Sequence, residues 1–562
     1  MKSKSRRDAR GARRVAGDGG GGAGGASRAD APADSATDRD PAAAAAATEG
    51  PNGAERNDRW FLVAALAILL VAAALRLPML ALNPFHNDEG VNGFFTTNLL
   101  RDGVYTYDPA NYHGPSLYYF ALVSATLFGL TTEAMRLVPV LCGLVTIALV
   151  LPLRRFLGPV AVLAAAALLA VSPGAVYVSR YFIHESLLVC FTLALVVSCL
   201  LYLDTRRPGY VIAAAASAAL MFTTKETGII AVVVLLIAAV ATRFYVRFRG
   251  GATADRSRRG AAAPGASVYV RGVEYRRVDH GHRTIEWEPL AGAAIVFLAI
   301  YVLLYSSFFT NFPKGLVDSV ATFMVWTQTG AATQVQPIQE YLVWMARADA
   351  PILALGAIGG VLAAVSGRDR TAVFIGLWAL GITAAYSLIQ YKTPWIALNM
   401  LVPLALLGGI ALRELSRSAR WRRVAPMALA ASVLISGFQA VDLNYRHYDD
   451  ETYPYVYVHT TRQTLALVDR IDQVAAKAGT GRNTGVAFVT DEYWPLPWYM
   501  RDYPQAIFYG QIADTDAPMI VANVTQEPDL GRFSSRYTRA GTYTLRPGVD
   551  LALYIRNDLA GA

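Results

Sequence analysis

The sequence has few charged residues and few cysteines for its length. Of its 562 residues only 17% are Asp, Glu, Lys or Arg, against about a quarter in an average soluble protein, while 54% are hydrophobic. Its three cysteines, Cys142, Cys190 and Cys199, all lie in apolar segments, so no disulfide framework is indicated. A soluble enzyme of this length would have several domains with polar surfaces, and this composition excludes that class.

Nucleotide-binding and zinc-binding motifs are also missing from the sequence. It contains no Walker-type phosphate loop, no GxGxxG that follows a strand, and no His/Cys cluster with zinc spacing. The glycine-rich stretch 17–25 is typical of a linker. The net charge of +9 lies in short loops between apolar runs, which argues against a nucleic-acid partner. No resident cofactor is indicated by these patterns, and a divalent metal stays an open alternative.

Long apolar runs recur from Trp60 to about Ala440. Runs of about 20 apolar residues are typical of membrane-spanning helices, so the sequence predicts a polytopic membrane protein. Eleven spans are predicted, at about 60–81, 134–153, 158–176, 186–204, 209–223, 228–246, 289–309, 345–366, 371–390, 394–412 and 424–440.

The two ends of the chain differ from this apolar region, 59–440. Residues 1–58 are rich in Gly, Ala and charged residues and are predicted to form a disordered cytoplasmic tail. Residues 441–562 predict a small α/β domain outside the membrane, with a helix over Thr461–Ala478 that ends at Gly479. Its strands are predicted at four short apolar runs, 485–489, 505–509, 518–523 and 549–555.

Arginine is distributed unevenly between alternate loops. One set of loops contains 21 arginines, whereas the other set contains six basic residues. The arginines lie at 154–155, at 206–207, at 368 and 370, at ten positions between 243 and 283, and at five positions between 413 and 423. The positive-inside rule places this set, with the predicted loop 247–286, in the cytoplasm. The protein is then a plasma-membrane protein with an internal amino terminus and an external carboxyl terminus.

The apolar run Pro115–Leu130 does not fit this series of spans. It has only 16 residues, fewer than the roughly 20 that a crossing needs. If it crossed the membrane, the later arginine-rich loops would all face outward. We therefore predict an interfacial helix here, within a single outer loop over 82–133.

Ionisable residues collect at the predicted outer face. The clearest group is His86-Asn87-Asp88-Glu89-Gly90, just after the first span. Two adjacent carboxylates at a membrane surface suit a general base or a metal ligand. The alternative is that Asn87 or Asp88 only caps a helix over Val91–Leu100.

Other outer segments carry charged or imidazole side chains. They are His113, Arg180, His184, Glu185, Lys225, Glu226 and Lys392. Lys392, like Arg76, is also compatible with a snorkelling anchor, and Lys225 and Glu226 with a neutralised structural pair. The common side of these groups favours chemistry on a lipid-linked sugar phosphate. Cations would bind the phosphate, and a carboxylate would take the proton from an acceptor hydroxyl.

Four short motifs resemble those of a known superfamily. They are HisAsnAspGluGly at 86–90, TyrHisGlyProSerLeuTyrTyr at 112–119, SerArgTyrPheIleHisGlu at 179–185 and TrpProLeuProTrpTyr at 494–499. The sequence resembles the lipid-donor glycosyltransferases of the GT-C superfamily, in the protein mannosyltransferase and aminoarabinose transferase branch. More narrowly, it resembles the flippase-activity-associated membrane proteins of archaeal-type glycosylation. The resemblance extends over about residues 60–510.

The resemblance implies a fold and a role for each candidate residue. The fold would be an all-α bundle of about eleven transmembrane helices, with interfacial helices in a large first outer loop. Asp88 would be the catalytic base, with Glu89 supporting it and Glu185 near the acceptor. Lys225 and His113 would approach the donor phosphate. Substrate contacts are also expected from His86, Arg180, His184 and Lys392.

The sequence departs from the family pattern at His113-Gly114-Pro115, where many relatives have a basic residue before two prolines.

The sequence is interpreted as that of an integral membrane glycosyltransferase that moves a sugar from a polyprenyl-phosphate donor to a glycan or protein acceptor on the outer face. Membrane lipid and a flippase or other glycosylation machinery would be its partners. One alternative is a non-catalytic partner of a lipid-linked oligosaccharide flippase, which would bind lipid phosphate but need no base. A secondary transporter would show broken helices at the membrane midplane, whereas here the ionisable residues collect at one face.

Overall fold

The computed structural model describes most of the chain beyond residue 50. The described ranges are 51–111, 113–257, 268–270, 273–275, 287–329, 335–367, 369–533 and 535–559. The predicted tail up to residue 50 and most of the predicted loop 247–286 lie outside them.

Helices dominate the described ranges up to residue 441. In chain order they are α1 Pro51–Ala74, α2 Asn87–Asp102, α3 Ser116–Phe128, α4 Thr132–Val150, α5 Arg154–Leu157, α6 Pro159–Val171, α7 Pro173–Ser179, α8 Glu185–Thr205, α9 Pro208–Phe222, α10 Gly228–Ser257, α11 Trp287–Tyr305, α12 Lys314–Thr329, α13 Glu340–Ala348, α14 Ala350–Ser366, α15 Arg370–Leu388, α16 Leu398–Arg417 and α17 Val424–Val441. A two-residue gap separates the short antiparallel strands β1 Val268–Val270 and β2 Val273–Tyr275.

The predicted multi-pass helical bundle is confirmed. Seven helical segments within the described residues are long and apolar enough to cross a membrane, and two bent helix pairs raise the number to nine. The other two of the eleven predicted spans coincide with α1 and with α9. Helix α9 has only 15 residues, fewer than the roughly 20 needed to cross. Helix α16 lies at the centre of the bundle and packs against α6, α14 and α15.

Two helix pairs are each bent sharply at a short break, and one buried carboxylate joins the two breaks. The chain bends by 62° between α6 and α7 and by 116° between α13 and α14. Asp349 lies at the second bend and accepts a hydrogen bond from Ser172 Oγ at the first, at 2.5 Å. It also accepts one from Tyr455 Oη at 2.8 Å. A buried carboxylate is tolerated because these donors satisfy it.

The interpretation of Arg76 as a snorkelling anchor was wrong. Its side chain is only 1% exposed and donates to the carbonyl oxygens of Leu169 and Ala170 at 3.0 and 2.8 Å. These carbonyls belong to the last turn of α6, where no further helical N–H is available to them because the helix breaks. The guanidinium therefore caps a broken helix inside the bundle.

Residues beyond 441 form the small α/β domain that the sequence predicts. Its elements are the helices α18 Gln463–Lys477 and α19 Leu496–Tyr499 and the strands β3 Val486–Phe488, β4 Ala506–Phe508, β5 Met519–Asn523, β6 Tyr537–Arg546 and β7 Val549–Arg556. The strand order is β4-β3-β5-β7-β6. Strand β3 is parallel to β4 and β5, whereas β7 is antiparallel to β5 and β6. Gly479 has a φ of +74° and follows α18 as predicted.

Candidate functional site

A cavity of about 680 Å³ lies where α2, α8 and α10 begin and α15 ends. Its ionisable lining residues are Asp88, His113, His184, Glu185, Lys225 and Glu226, and its aromatic ones are Trp326, Tyr386, Tyr391 and Trp395. Five side chains that the sequence singled out for the site therefore border one cavity. The other four, His86, Glu89, Arg180 and Lys392, are not among its lining residues.

Helix α2 begins at Asn87 and is capped by His86. The Nδ1 atom of His86 accepts a hydrogen bond from the Asp88 N–H at 3.1 Å, and the Glu89 carboxylate accepts one from the His86 N–H at 2.9 Å. This reciprocal arrangement is a capping box, which satisfies amide groups that would otherwise lack partners. The expectation that Asn87 or Asp88 caps the helix was wrong.

Glu89 is fully buried and forms a two-pronged ion pair with Arg136. Nε and Nη2 of Arg136 donate to its two carboxylate oxygens at 2.7 and 2.6 Å. The same carboxylate accepts the Phe182 N–H at 2.7 Å. Arg136 also donates to the carbonyl oxygens of Leu80 and Asn83. Both carboxylate oxygens of Glu89 thus accept hydrogen bonds from the protein. Glu89 therefore fixes the start of α2 and does not border the cavity.

Asp88 has different surroundings from its neighbour. Its side chain is half-buried and borders the cavity. Among the described residues its carboxylate meets one hydrogen-bond donor, Asn87 Nδ2 at 3.5 Å. A contact of that length is weak, so the carboxylate is available to accept a proton.

Two loop segments that border the cavity are joined by backbone hydrogen bonds. The N–H groups of Gly114 and Ser116 donate to the carbonyl oxygens of Thr224 and Thr223 at 3.0 and 2.9 Å. A Cβ atom on Gly114 would lie 2.2 Å from the Thr223 carbonyl oxygen, so only glycine allows this approach. The pairing holds His113 beside Lys225.

Lys225 and Glu226 do not pair with each other. Lys225 forms an ion pair with Glu185, and Glu226 accepts from His113 Nδ1 at 3.0 Å. The interpretation of a neutral Lys225–Glu226 pair was therefore wrong, because each side chain pairs with a residue of another segment instead. Burial alone would lower the pKa of Lys225, but Glu185 and Glu226 raise it above its ordinary value, and the ammonium stays charged.

His184 lies beside His113, and its imidazole is neutral. Its ring centroid is 4.6 Å from that of His113. Burial, together with His113 and Lys225, holds the pKa of His184 well below its ordinary value. Its Nε2 atom is buried and has no hydrogen-bond partner among the described residues.

Arg180 and Lys392 have partners within the protein. Nη1 of Arg180 donates to the carbonyl oxygens of Arg76 and Pro78 at 2.9 and 2.7 Å, which ties it to the chain after α1. Lys392 is 2% exposed, donates to the Ile389 carbonyl oxygen and lies over the ring of Tyr341. Arg180 thus secures the fold, and Lys392 lies in the chain between Tyr391 and Thr393, which both border the cavity.

The carboxyl-terminal domain packs directly on α2. Trp498 is 1% exposed, and its ring centroid lies 4.6 Å from that of Phe85. A Cβ atom on Gly90 would lie 2.5 Å from Cβ of Pro495, so the helix and the domain are in close contact. Trp498 and Pro495 therefore pack against the start of α2, and this contact supports the helix that bears Asp88.

The sequence reasoning missed the role of Arg136. It lies in the apolar segment Thr132–Val150, and a charged residue within such a segment is a signal that could have been used. Its partner Glu89 is 47 positions away, so the pairing itself could not be read from spacing. Within the described part of the chain, no group of three or more His, Cys, Asp or Glu is placed to hold a metal ion.

Part of the chain matches a known protein family. A family model described as dolichyl-phosphate-mannose-protein mannosyltransferase matches residues 112–249, which include His113, His184, Glu185 and Lys225. No curated protein sequence matches the chain.

Two solved structures of ArnT from Cupriavidus metallidurans are similar over almost the whole fold. The structure with bound undecaprenyl phosphate has a TM-score of 0.60 and 17% identity, and the match covers 90% of this chain and 98% of that one. The structure in the apo state has a TM-score of 0.61 and 16% identity, and the match covers 91% and 99%. The chain has the GT-C fold. Because identity is low, the similarity to ArnT concerns architecture alone.

Proposed function

We propose that the protein is a glycosyltransferase that moves a sugar from a polyprenyl-phosphate donor to an acceptor hydroxyl at the outer face of the membrane. The observation that carries this proposal is the cavity, where an available carboxylate and a charged lysine border one space. The ArnT structure with undecaprenyl phosphate, which shares the fold, supports a lipid-phosphate donor.

An apolar groove beside the cavity suits the isoprenoid chain of such a donor. It has a volume of about 500 Å³ and lies between α10 and α15, lined by aliphatic residues and one glycine. Ile229 and Ala385 of the groove are close in sequence to Thr227 and Tyr386 of the cavity. A lipid tail in the groove would therefore bring its phosphate to the cavity.

Asp88 is the proposed base of the reaction. It takes the proton of the acceptor hydroxyl as that oxygen forms a bond to the anomeric carbon. The bond between the anomeric carbon and the phosphate oxygen breaks, and its electron pair stays on the phosphate. The leaving group is polyprenyl phosphate, whose added negative charge Lys225 stabilises. Glu185 is proposed to lie near the acceptor.

Lys225 is the proposed contact to the donor phosphate. It is the single Lys or Arg among the described lining residues of the cavity. A charge-assisted hydrogen bond to phosphate contributes roughly 1.5–3 kcal/mol. We expect Lys225→Met to weaken donor binding by about tenfold or more, measured with a polyprenyl-phosphate sugar and purified protein.

Two further variants make that measurement specific. Glu185→Gln removes the carboxylate that now pairs with Lys225, so donor binding should stay the same or become tighter. Lys314→Met removes an exposed ammonium that pairs with Asp318 and should leave donor binding unchanged. Lys392→Met should weaken donor binding less than Lys225→Met does. Unchanged donor affinity in folded Lys225→Met would exclude this lysine from the phosphate site.

The proposed orientation in the plasma membrane is an internal amino terminus and an external α/β domain. It is supported by the arginine-rich loops and by the contact between that domain and the helix bearing Asp88. In a cysteine-free background, Ala476→Cys in α18 should react with an impermeant thiol reagent added outside the cell. Ala419→Cys, in the arginine-rich loop after α16, should react only after permeabilisation. The reverse pattern would contradict the orientation and the outer active face.

A further inference from the structure

His86 links the helix that bears Asp88 to the chain that leads into the carboxyl-terminal domain. We propose that His86 is a positioning residue for Asp88, an inference that rests on the proposed function of Asp88 as the base. His86 is not itself among the described lining residues of the cavity. Its effect would be transmitted through the backbone of α2.

Both ring nitrogens of His86 contact backbone groups. Nδ1 lies 3.1 Å from the Asp88 nitrogen, which can only donate. Nε2 lies 3.1 Å from the Tyr457 carbonyl oxygen, which can only accept. In this pair of contacts Nδ1 is the acceptor and Nε2 is the donor.

The ring of His86 is held on its other sides by packing. It is 2% exposed, and its centroid lies 5.7 Å from those of Tyr181 and Trp395 and 6.2 Å from that of His459. Trp395 itself borders the cavity. The imidazole thus lies directly behind the cavity wall, with little freedom to rotate.

These contacts restrain the backbone of the base from two directions. The Asp88 N–H is held by the imidazole, and the Glu89 carboxylate that follows it is held by the His86 N–H and Arg136. Proton transfer depends on the base lying within hydrogen-bond reach of the proton it takes. Loss of the imidazole contact would let Asp88 move, with no change in the groups that bind the donor.

Variants of His86 can separate positioning from folding and from substrate binding. His86→Phe keeps an aromatic ring but removes both hydrogen bonds, and we expect kcat to fall about tenfold or more while the KM for donor is unchanged. His86→Asn places its amide oxygen where Nδ1 lies, so it keeps an acceptor for the Asp88 N–H and should recover most of kcat. His86→Gln places its amide nitrogen where Nε2 lies, so it keeps a donor for the Tyr457 carbonyl oxygen but lacks an acceptor at the Nδ1 position, and its kcat should fall as in His86→Phe.

Thr131→Val is the matched control for a lost helix cap. Thr131 accepts a hydrogen bond from the Ala134 N–H at the start of α4, away from Asp88. We expect this variant to lower the unfolding temperature and leave kcat per folded molecule unchanged.

Two outcomes would contradict the role of His86. One is a raised donor KM with unchanged kcat in His86→Phe, which would make His86 a binding residue. The other is an equal loss of kcat in the Asn, Gln and Phe variants. If His86→Phe does not fold, a kcat for the Asn variant no higher than that of the Gln variant contradicts the role. If Asp88→Asn retains wild-type turnover, it is the proposed base that fails, whatever His86 does.

Discussion

Asp88→Asn is expected to lower kcat by about 100- to 10,000-fold, the usual range for loss of a general base. The asparagine keeps the shape of the side chain and removes its basicity. Its backbone N–H still meets the imidazole of His86, so the start of α2 should be unchanged. Donor affinity should persist because the proposed phosphate contact comes from Lys225. Turnover and donor binding are measured on one preparation.

Asp102→Asn provides a control on the same helix. Asp102 lies at the end of α2 and forms an exposed ion pair with Arg101, far along the helix from the cavity. Its kcat should match that of the wild type. Wild-type turnover in Asp88→Asn would refute the base, whereas equal loss in both variants would indicate a general effect of charge on α2.

Arg136→Met is expected to be among the most destabilising single changes in the protein. It leaves the fully buried Glu89 carboxylate without its cation, and breaking such a pair typically costs about 3–5 kcal/mol. It also removes the donors that hold the Leu80 and Asn83 carbonyl oxygens. The expected result is a large drop in the thermal unfolding temperature in detergent.

The double variant Arg136→Met/Glu89→Gln tests the cause of this loss. If the unpaired charge is responsible, removing it as well should recover part of the stability, which a double-mutant cycle reports as a coupling energy. Arg155→Gln removes a partner from the exposed pair Arg155–Asp204 and should change stability by about 1 kcal/mol or less. An effect of Arg136→Met no larger than that of Arg155→Gln would contradict the importance of the buried pair.

The membrane region could be predicted from the sequence because its signal is local. An apolar run of about 20 residues needs no partner elsewhere to be recognised, and each predicted span coincides with one or more helices. The strands β3, β4, β5 and β7 were also predicted from short apolar runs. Strand β6 was missed because, at the edge of the sheet, it exposes many of its side chains. Its sequence, YTRAGTYTLR, lacks an apolar run.

The site was only partly predictable because its pairings join distant parts of the chain. The motifs identified Asp88, Glu185 and Lys225. However, the ion pair between Glu185 and Lys225 joins residues that are 40 positions apart in the sequence. The two adjacent carboxylates of α2 looked alike in sequence. Long-range contacts distinguish them. Arg136 and the Phe182 N–H donate hydrogen bonds to the Glu89 carboxylate, whereas Asp88 borders the cavity. His86 was expected to contact substrate, whereas its ring nitrogens contact the backbone at Asp88 and Tyr457.

The most direct test of sugar transfer is the release of polyprenyl phosphate by the purified protein. Wild type and Asp88→Asn are incubated with a panel of polyprenyl-phosphate sugars and hydroxyl acceptors, and lipid product and donor binding are both measured. We expect the wild type to convert at least one donor, and Asp88→Asn to bind the same donor with little or no conversion. Binding of the donors without conversion by either protein would contradict a transferase and favour a non-catalytic partner of a lipid-linked oligosaccharide flippase.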